Sequence, residues 1–194
     1  MVYEAVVIGV SAGGINALKV IFTSISENFK LPVIVVQHLH AQRDTFLADY
    51  LNSLSHLHFK EAEDKEQICA GTAYIAPANY HLLIEEDRTL TLNTDERINY
   101  SRPSIDVLFN SAADVYGSKL IGVILTGAND DGVAGMKKIK KFGGITIVQD
   151  PKNAEVEFMP QSVLKEITVD HIVTLEKIGI LLKDMGSKNF QLNN

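Results

Sequence analysis

Apolar positions along this 194-residue chain follow two alternating patterns. Short, unbroken runs rich in Val and Ile occur as "EAVVIGV" at 4–10, "LPVIVVQH" at 31–38, "KLIGVILTG" at 119–127 and "GGITIVQD" at 143–150. Runs of this kind, without polar alternation, predict strands buried on both faces of a parallel sheet. Between them lie helical patterns: "INALKVIFTSI" at 15–25, "DTFLADYLNSLS" at 44–55, "PSIDVLFNSAADVYG" at 103–117 and "VAGMKKIKKFG" at 133–143. Pro103 suits the first turn of a helix and Gly117 its stop. The alternation predicts an α/β fold, a doubly wound and mostly parallel sheet with helices on both faces.

The middle of the chain breaks this rhythm. In "GTAYIAPANYHLLIEEDRTLTLNTD", residues 71–95, strand-like runs are joined by turn residues at Pro77 to Asn79 and at Asp87-Arg88, with no helix between them. The expectation is an antiparallel hairpin inserted beside the parallel sheet. No Pro/Ser-rich linker, repeat or low-complexity tract interrupts the chain, so residues 1–194 read as a single domain.

Composition narrows the class. Hydrophobic residues at 46% and charged ones at 22% lie near globular averages, which excludes disordered and fibrous classes. The net charge of -6 argues against nucleic acid as a partner. Cys69 is the single cysteine, so neither an intrachain disulfide nor a cysteine zinc site can form, which fits a cytoplasmic protein. The start, "MVYEAVVIGV", has no basic leader, and no run reaches the roughly 20 apolar residues of a membrane span. No membrane insertion is expected. The basic run "KKIKK" reads as the solvated face of an amphipathic helix, with Met136, Ile139 and Phe142 on the other side.

The candidate chemistry sits at strand ends. Gly9-Val10-Ser11-Ala12-Gly13 fits G-x-S-x-G between a predicted strand and a predicted helix, a context that lifts a serine hydroxyl above a sheet. Ser11 as a plain helix N-cap is the ordinary alternative. A dinucleotide loop fits poorly, because Ser11 replaces the middle glycine and the second strand ends in Gln37-His38 where a carboxylate is required. His38 belongs to the same sheet edge, with His40 as a competitor, and Asp130 and Asp131 follow the strand "GVIL". Taken singly, these are a packing histidine and a capping turn; together they supply nucleophile, base and orienting acid. The order serine, histidine, aspartate, with the serine after the first strand, does not match the α/β-hydrolase order.

Six stretches, "VIGVSAGG", "VVQH", "AYIAPANYHL", "RPSIDVLFNSAA", "GVILTGANDDGVAGM" and "GGITIVQD", together resemble the catalytic domain of the CheB family of chemotaxis protein-glutamate methylesterases over nearly the whole chain. The resemblance implies a serine hydrolase that demethylates glutamate methyl esters on bacterial chemoreceptors, and often deamidates receptor glutamines, without metal or organic cofactor. It matches Ser11 to the nucleophile, His38 to the base and Asp131 to the orienting acid; Asp130 has no counterpart. It points to the backbone N–H groups of Ala12 and Ala128 as oxyanion donors, and to His81 and Arg102 as lining a substrate groove. The chain departs from the family pattern at Ala12, where threonine is usual, at Ala128-Asn129 for methionine-glycine, and at Phe158 for glycine. The family's receiver domain has no room before the first strand, so a stand-alone enzyme or an isolated domain is expected. A broader serine esterase or amidase, or a non-catalytic signalling module on the same scaffold, are the alternatives.

Overall fold

A computed structural model describes residues 2–38, 44–98 and 100–187. Seven strands form one parallel sheet: β1 (Ala5–Val10), β2 (Val33–Gln37), β3 (His58–Glu61), β4 (Thr72–Ile75), β7 (Leu120–Ile124), β8 (Ile145–Gln149) and β9 (His171–Val173). Their spatial order is β3-β4-β2-β1-β7-β8-β9. A separate antiparallel pair joins β5 (His81–Ile84) to β6 (Leu90–Asn93). The helices are α1 (Gly14–Thr23), α2 (Asp44–Asn52), α3 (Ile105–Tyr116), α4 (Val133–Lys141), α5 (Phe158–Glu166) and α6 (Leu175–Ser187).

The continuous Val/Ile runs form strands because β-branched side chains fill both sides of a covered sheet. Every residue of β1, β2 and β7 is buried. Alternate side chains feed two cores. Val6, Ile8 and Val10 pack with Leu18, Ile21 and Phe22 of α1, Leu47 and Leu51 of α2, and Ile178 and Leu182 of α6. Ala5 and Val7 pack on the other face with Leu108, Phe109 and Ala112 of α3, Met136 and Ile139 of α4, and Met159 and Val163 of α5.

The hairpin expectation needs one correction. "TAYI" is not part of it; β4 joins the main sheet, parallel to β2 and β3. The antiparallel pair is confined to residues 81–93 and turns at Glu85–Thr89, where Glu85 N–H donates to Thr89 O at 2.9 Å and Arg88 takes a positive φ of 64°. Tyr74 is nearly fully buried and its hydroxyl accepts from Cys69 N–H, so this short run has a core position that only the sheet supplies.

Strand order places the functional edge. From β1 the sheet extends through β2 and β4 to β3 on one side, with β4 inserted between the earlier β2 and β3, and through β7 and β8 to β9 on the other. The point where the order reverses lies between β1 and β7, and the carboxyl ends there open a crevice. Among the described residues no helix is long and apolar enough to cross a membrane.

Candidate active site

Ser11 is the first residue after β1, and its N–H donates to Thr126 O, just beyond β7, at 3.0 Å. Helix α1 is capped by Gly13, not by Ser11; Gly13 has φ 78°, and no side chain caps that end. The left-handed conformation there is one that glycine adopts without strain. The plain helix-cap explanation of Ser11 therefore fails. Ser11 and His38 line one cavity of about 460 Å³ with Ala12, Gln37, Tyr50 and Glu155.

His38 follows β2 directly, and its N–H continues the ladder to Val10 O at 3.0 Å. Parallel pairing sets Val10 beside Gln37, so the residues after them, Ser11 and His38, leave the sheet at the same level. His38 Nε2 lies 3.0 Å from Asp131 Oδ2. No hydrogen bond joins Ser11 Oγ to the His38 ring among the described residues. His40 lies outside the described residues.

Asp131 is fully buried and heavily solvated by protein donors. Its Oδ2 also accepts from Ile105 N–H at 2.7 Å, and its Oδ1 accepts from Ser104 Oγ–H at 2.9 Å and Asp106 N–H at 3.0 Å. These donors are the N-terminus of α3, where free N–H groups and the helix dipole favour an anion. Burial alone would raise its pKa; the bonds from His38, Asp106 and Ile105 outweigh that and hold it below the usual carboxylate range. An ionised carboxylate only accepts, so His38 carries its proton on Nε2 and Nδ1 is the unprotonated ring nitrogen. Asn129 Nδ2 stands 3.4 Å from that Nδ1, while its Oδ1 accepts from Asp131 N–H at 3.3 Å.

The remaining expected residues divide. Ala12 and Ala128 are both exposed at this edge, and neither N–H has a partner among the described residues. Thr126 Oγ–H donates to Ala12 O at 2.8 Å, and Gln149 Oε1 accepts from Thr126 N–H at 2.8 Å, so the two turns are tied together. His81 departs from the expectation that it lines a groove. It is 1% exposed, with Nδ1 accepting from Ser104 N–H at 3.2 Å and Nε2 3.0 Å from Glu96 O. Arg102 is half-buried and spends its Nη1 on Thr94 O and Asp95 O at 2.7 and 2.9 Å. Neither residue lines the cavity that holds Ser11. Asp130 is exposed.

Four contributors escape a reading of the sequence in the roles that the fold gives them. Ser104 is legible as a helix cap after Pro103's turn, yet its hydroxyl also reaches Asp131. Gln37 and Asn129 look like loop polar residues until the strands are aligned. Asp106, in the first turn of α3, accepts from Gly135 N–H at 2.7 Å, and burial, with Asp131 nearby, pushes its pKa up to about 6. No group of three or more His, Cys, Asp or Glu gathers as a metal site among the described residues.

Fold and edge together define a doubly wound α/β domain that carries a serine, a histidine and a buried aspartate at the switch point of its sheet. Residues 6–182 match the CheB methylesterase family, and the chain belongs to that family. A relative from Leptospira interrogans serovar copenhageni, provisionally named a protein-glutamate methylesterase/protein-glutamine glutaminase, is 51% identical over 98% of this chain and 99% of its own length. The protein-glutamate methylesterase/protein-glutamine glutaminase of Thermotoga maritima is 40% identical over 90% of this chain, which spans 52% of that relative. The crystal structure of the Thermotoga maritima CheB methylesterase catalytic domain superimposes with a TM-score of 0.91 at 38% identity, covering 95% of this chain and all of that one.

Proposed function

We propose that this chain hydrolyses the methyl esters of glutamate side chains on bacterial chemoreceptors, with Ser11 as nucleophile, His38 as general base and Asp131 as the group that orients and charges the imidazole. The observation that carries the reading is the 3.0 Å contact from His38 Nε2 to a fully buried Asp131, at the cavity that Ser11 lines. Membership of the CheB methylesterase family and the names of the relatives support the choice of glutamate esters as substrate class.

In this mechanism His38 Nδ1 takes the Ser11 proton as Oγ attacks the ester carbonyl. The imidazolium that forms is stabilised by Asp131, which α3 holds as an anion. Backbone N–H groups of Ala12 and Ala128 receive the developing oxyanion, aided by the positive end of α1. His38 returns the proton to the methoxy oxygen, methanol departs, and water activated by the same ring releases the glutamate carboxylate. The same acyl-enzyme forms from a glutamine side chain with ammonia as leaving group, in keeping with the double name of the relatives.

The test is methanol release from a methylated chemoreceptor fragment by wild type, Ser11→Ala, His38→Ala and Asp131→Ala. Release by wild type and its loss in Ser11→Ala is the expected result. Losses in the other two should not add, because the three act as one unit. Activity retained in Ser11→Ala would sink the mechanism.

A further inference from the structure

Gln37 ends β2 one residue before His38 and is 4% exposed. Its Nε2 donates to two main-chain carbonyls, Ser11 O at 2.8 Å and His38 O at 3.1 Å. Those acceptors fix the amide's orientation, and they leave Gln37 Oε1 buried without a partner among the described residues. A buried acceptor without a donor costs desolvation that an apolar side chain of the same size avoids. Gln37 is therefore not the residue that folding alone would favour here. Space has been made for it as well: a Cβ on Gly14 would fall 1.9 Å from Oε1.

The two bonds have a geometric consequence. Ser11 O also accepts from Gly14 N–H at 3.0 Å, so the carbonyl is held from two sides. A trans peptide is planar with its C=O and N–H antiparallel, so pinning the Ser11 carbonyl sets the direction of Ala12 N–H, away from the clamp. The bond to His38 O fastens the same amide to the strand end that carries the imidazole. We infer that Gln37 is a positioning residue: through its two N–H donors it aims the Ala12 N–H at the oxyanion and holds the turns of Ser11 and His38 in fixed relation. This rests on the proposed roles of Ser11, His38 and Ala12. Gln37 touches no reacting atom and acts through the residues that do.

Gln37→Met keeps the size of the side chain and removes both donors. Gln37→Glu restores one donor only when its carboxyl is protonated, and two facing carbonyls favour that neutral form. Four proteins are compared: wild type, Ser11→Ala, Gln37→Met and Gln37→Glu. Two reactions are read, methanol release from a methylated receptor fragment and the rate at which phenylmethanesulfonyl fluoride modifies Ser11, followed by intact mass. Thermal unfolding runs alongside. The expected result for Gln37→Met is a fall of about 10- to 100-fold in kcat and in the modification rate, with KM within about twofold and no loss of Tm. The ratio of Gln37→Glu to wild-type kcat should rise as pH is lowered, a change that a merely structural role would not produce. Rates within about twofold of wild type in Gln37→Met, or a pH-independent ratio in Gln37→Glu, would overturn the inference. Modification of Ser11 without methanol release in wild type would overturn the substrate reading alone, and the inference would then be decided by the modification rates.

Discussion

At the His38 ring, one contact assigns both nitrogens. Asp131 can only accept, so Nε2 holds the proton and Nδ1 is the atom left to serve as base in the proposed mechanism. Asn129 Nδ2 stands 3.4 Å from that atom. A donor on the lone pair stabilises the resting ring and must be given up before the Ser11 proton can be taken. A hydrogen bond of this length contributes at most about 1 kcal/mol. Asn129→Ala is therefore expected to raise kcat for methanol release by about two- to fivefold, measured at fixed pH; a fall would mean that the Oδ1 contact to Asp131 N–H is the more important of the two. Ser11, His38 and Asp131 stood out as candidates in the sequence because each follows directly or closely on a recognisable apolar run, and the fold brings His38 to Asp131 and to the cavity that Ser11 lines. His81 was misread for a related reason: sequence placed it in a family-like stretch, whereas burial and two occupied ring nitrogens make it a link to Ser104 and, through that hydroxyl, to Asp131.

Helices α3 and α4 set where Asp131 sits, since the loop carrying it runs into α4 and its donors belong to α3. Their approach is close at one place. A Cβ on Gly135 would lie 2.3 Å from Phe109 Cβ, too near for a side-chain rotation to relieve. Gly135→Ala gains about 1 kcal/mol of helix propensity but must push the helices apart, at a cost of about 1–3 kcal/mol in a packed core. A lower urea midpoint with an unchanged m-value is expected; a raised midpoint would show that the contact relaxes without strain. Helix and strand types were legible in these segments from period alone. The pairing of "TAYI" was not, because a four-residue apolar run reads equally as a hairpin arm or as a central strand, and only its neighbours β2 and β3 decide. The short β3 and β9 escaped for the same reason, being too brief to show a period.

Across the whole molecule two buried carboxylates pull stability in opposite directions with pH. Asp131 has a lowered pKa in the fold, so its contribution is present above an unfolded value of about 4 and is lost as pH falls through its native value. Asp106 is raised to about 6, mainly by burial. It costs nothing below about pH 4, where it is protonated folded and unfolded, and destabilises the fold progressively between about pH 4 and 7, by up to about 3 kcal/mol. Asp106→Asn lacks that titration, so its stability relative to wild type should improve over this window when both are unfolded in urea at several pH values. A constant difference from pH 4 to 7 would show that Asp106 titrates in the fold as it does in the unfolded chain. The sequence by itself determined the covered parallel sheet and the residues at its strand ends, because hydrophobic period and turn chemistry are local properties written in consecutive residues. Tertiary structure alone decided which nitrogen of His38 meets Asp131, that Asp131 lies on the start of α3, and that Gln37 binds the carbonyls of both turns. Those facts depend on strand order and register, which bring residues such as His38 and Asp131, 93 positions apart, into hydrogen-bonding distance, and no local pattern encodes them.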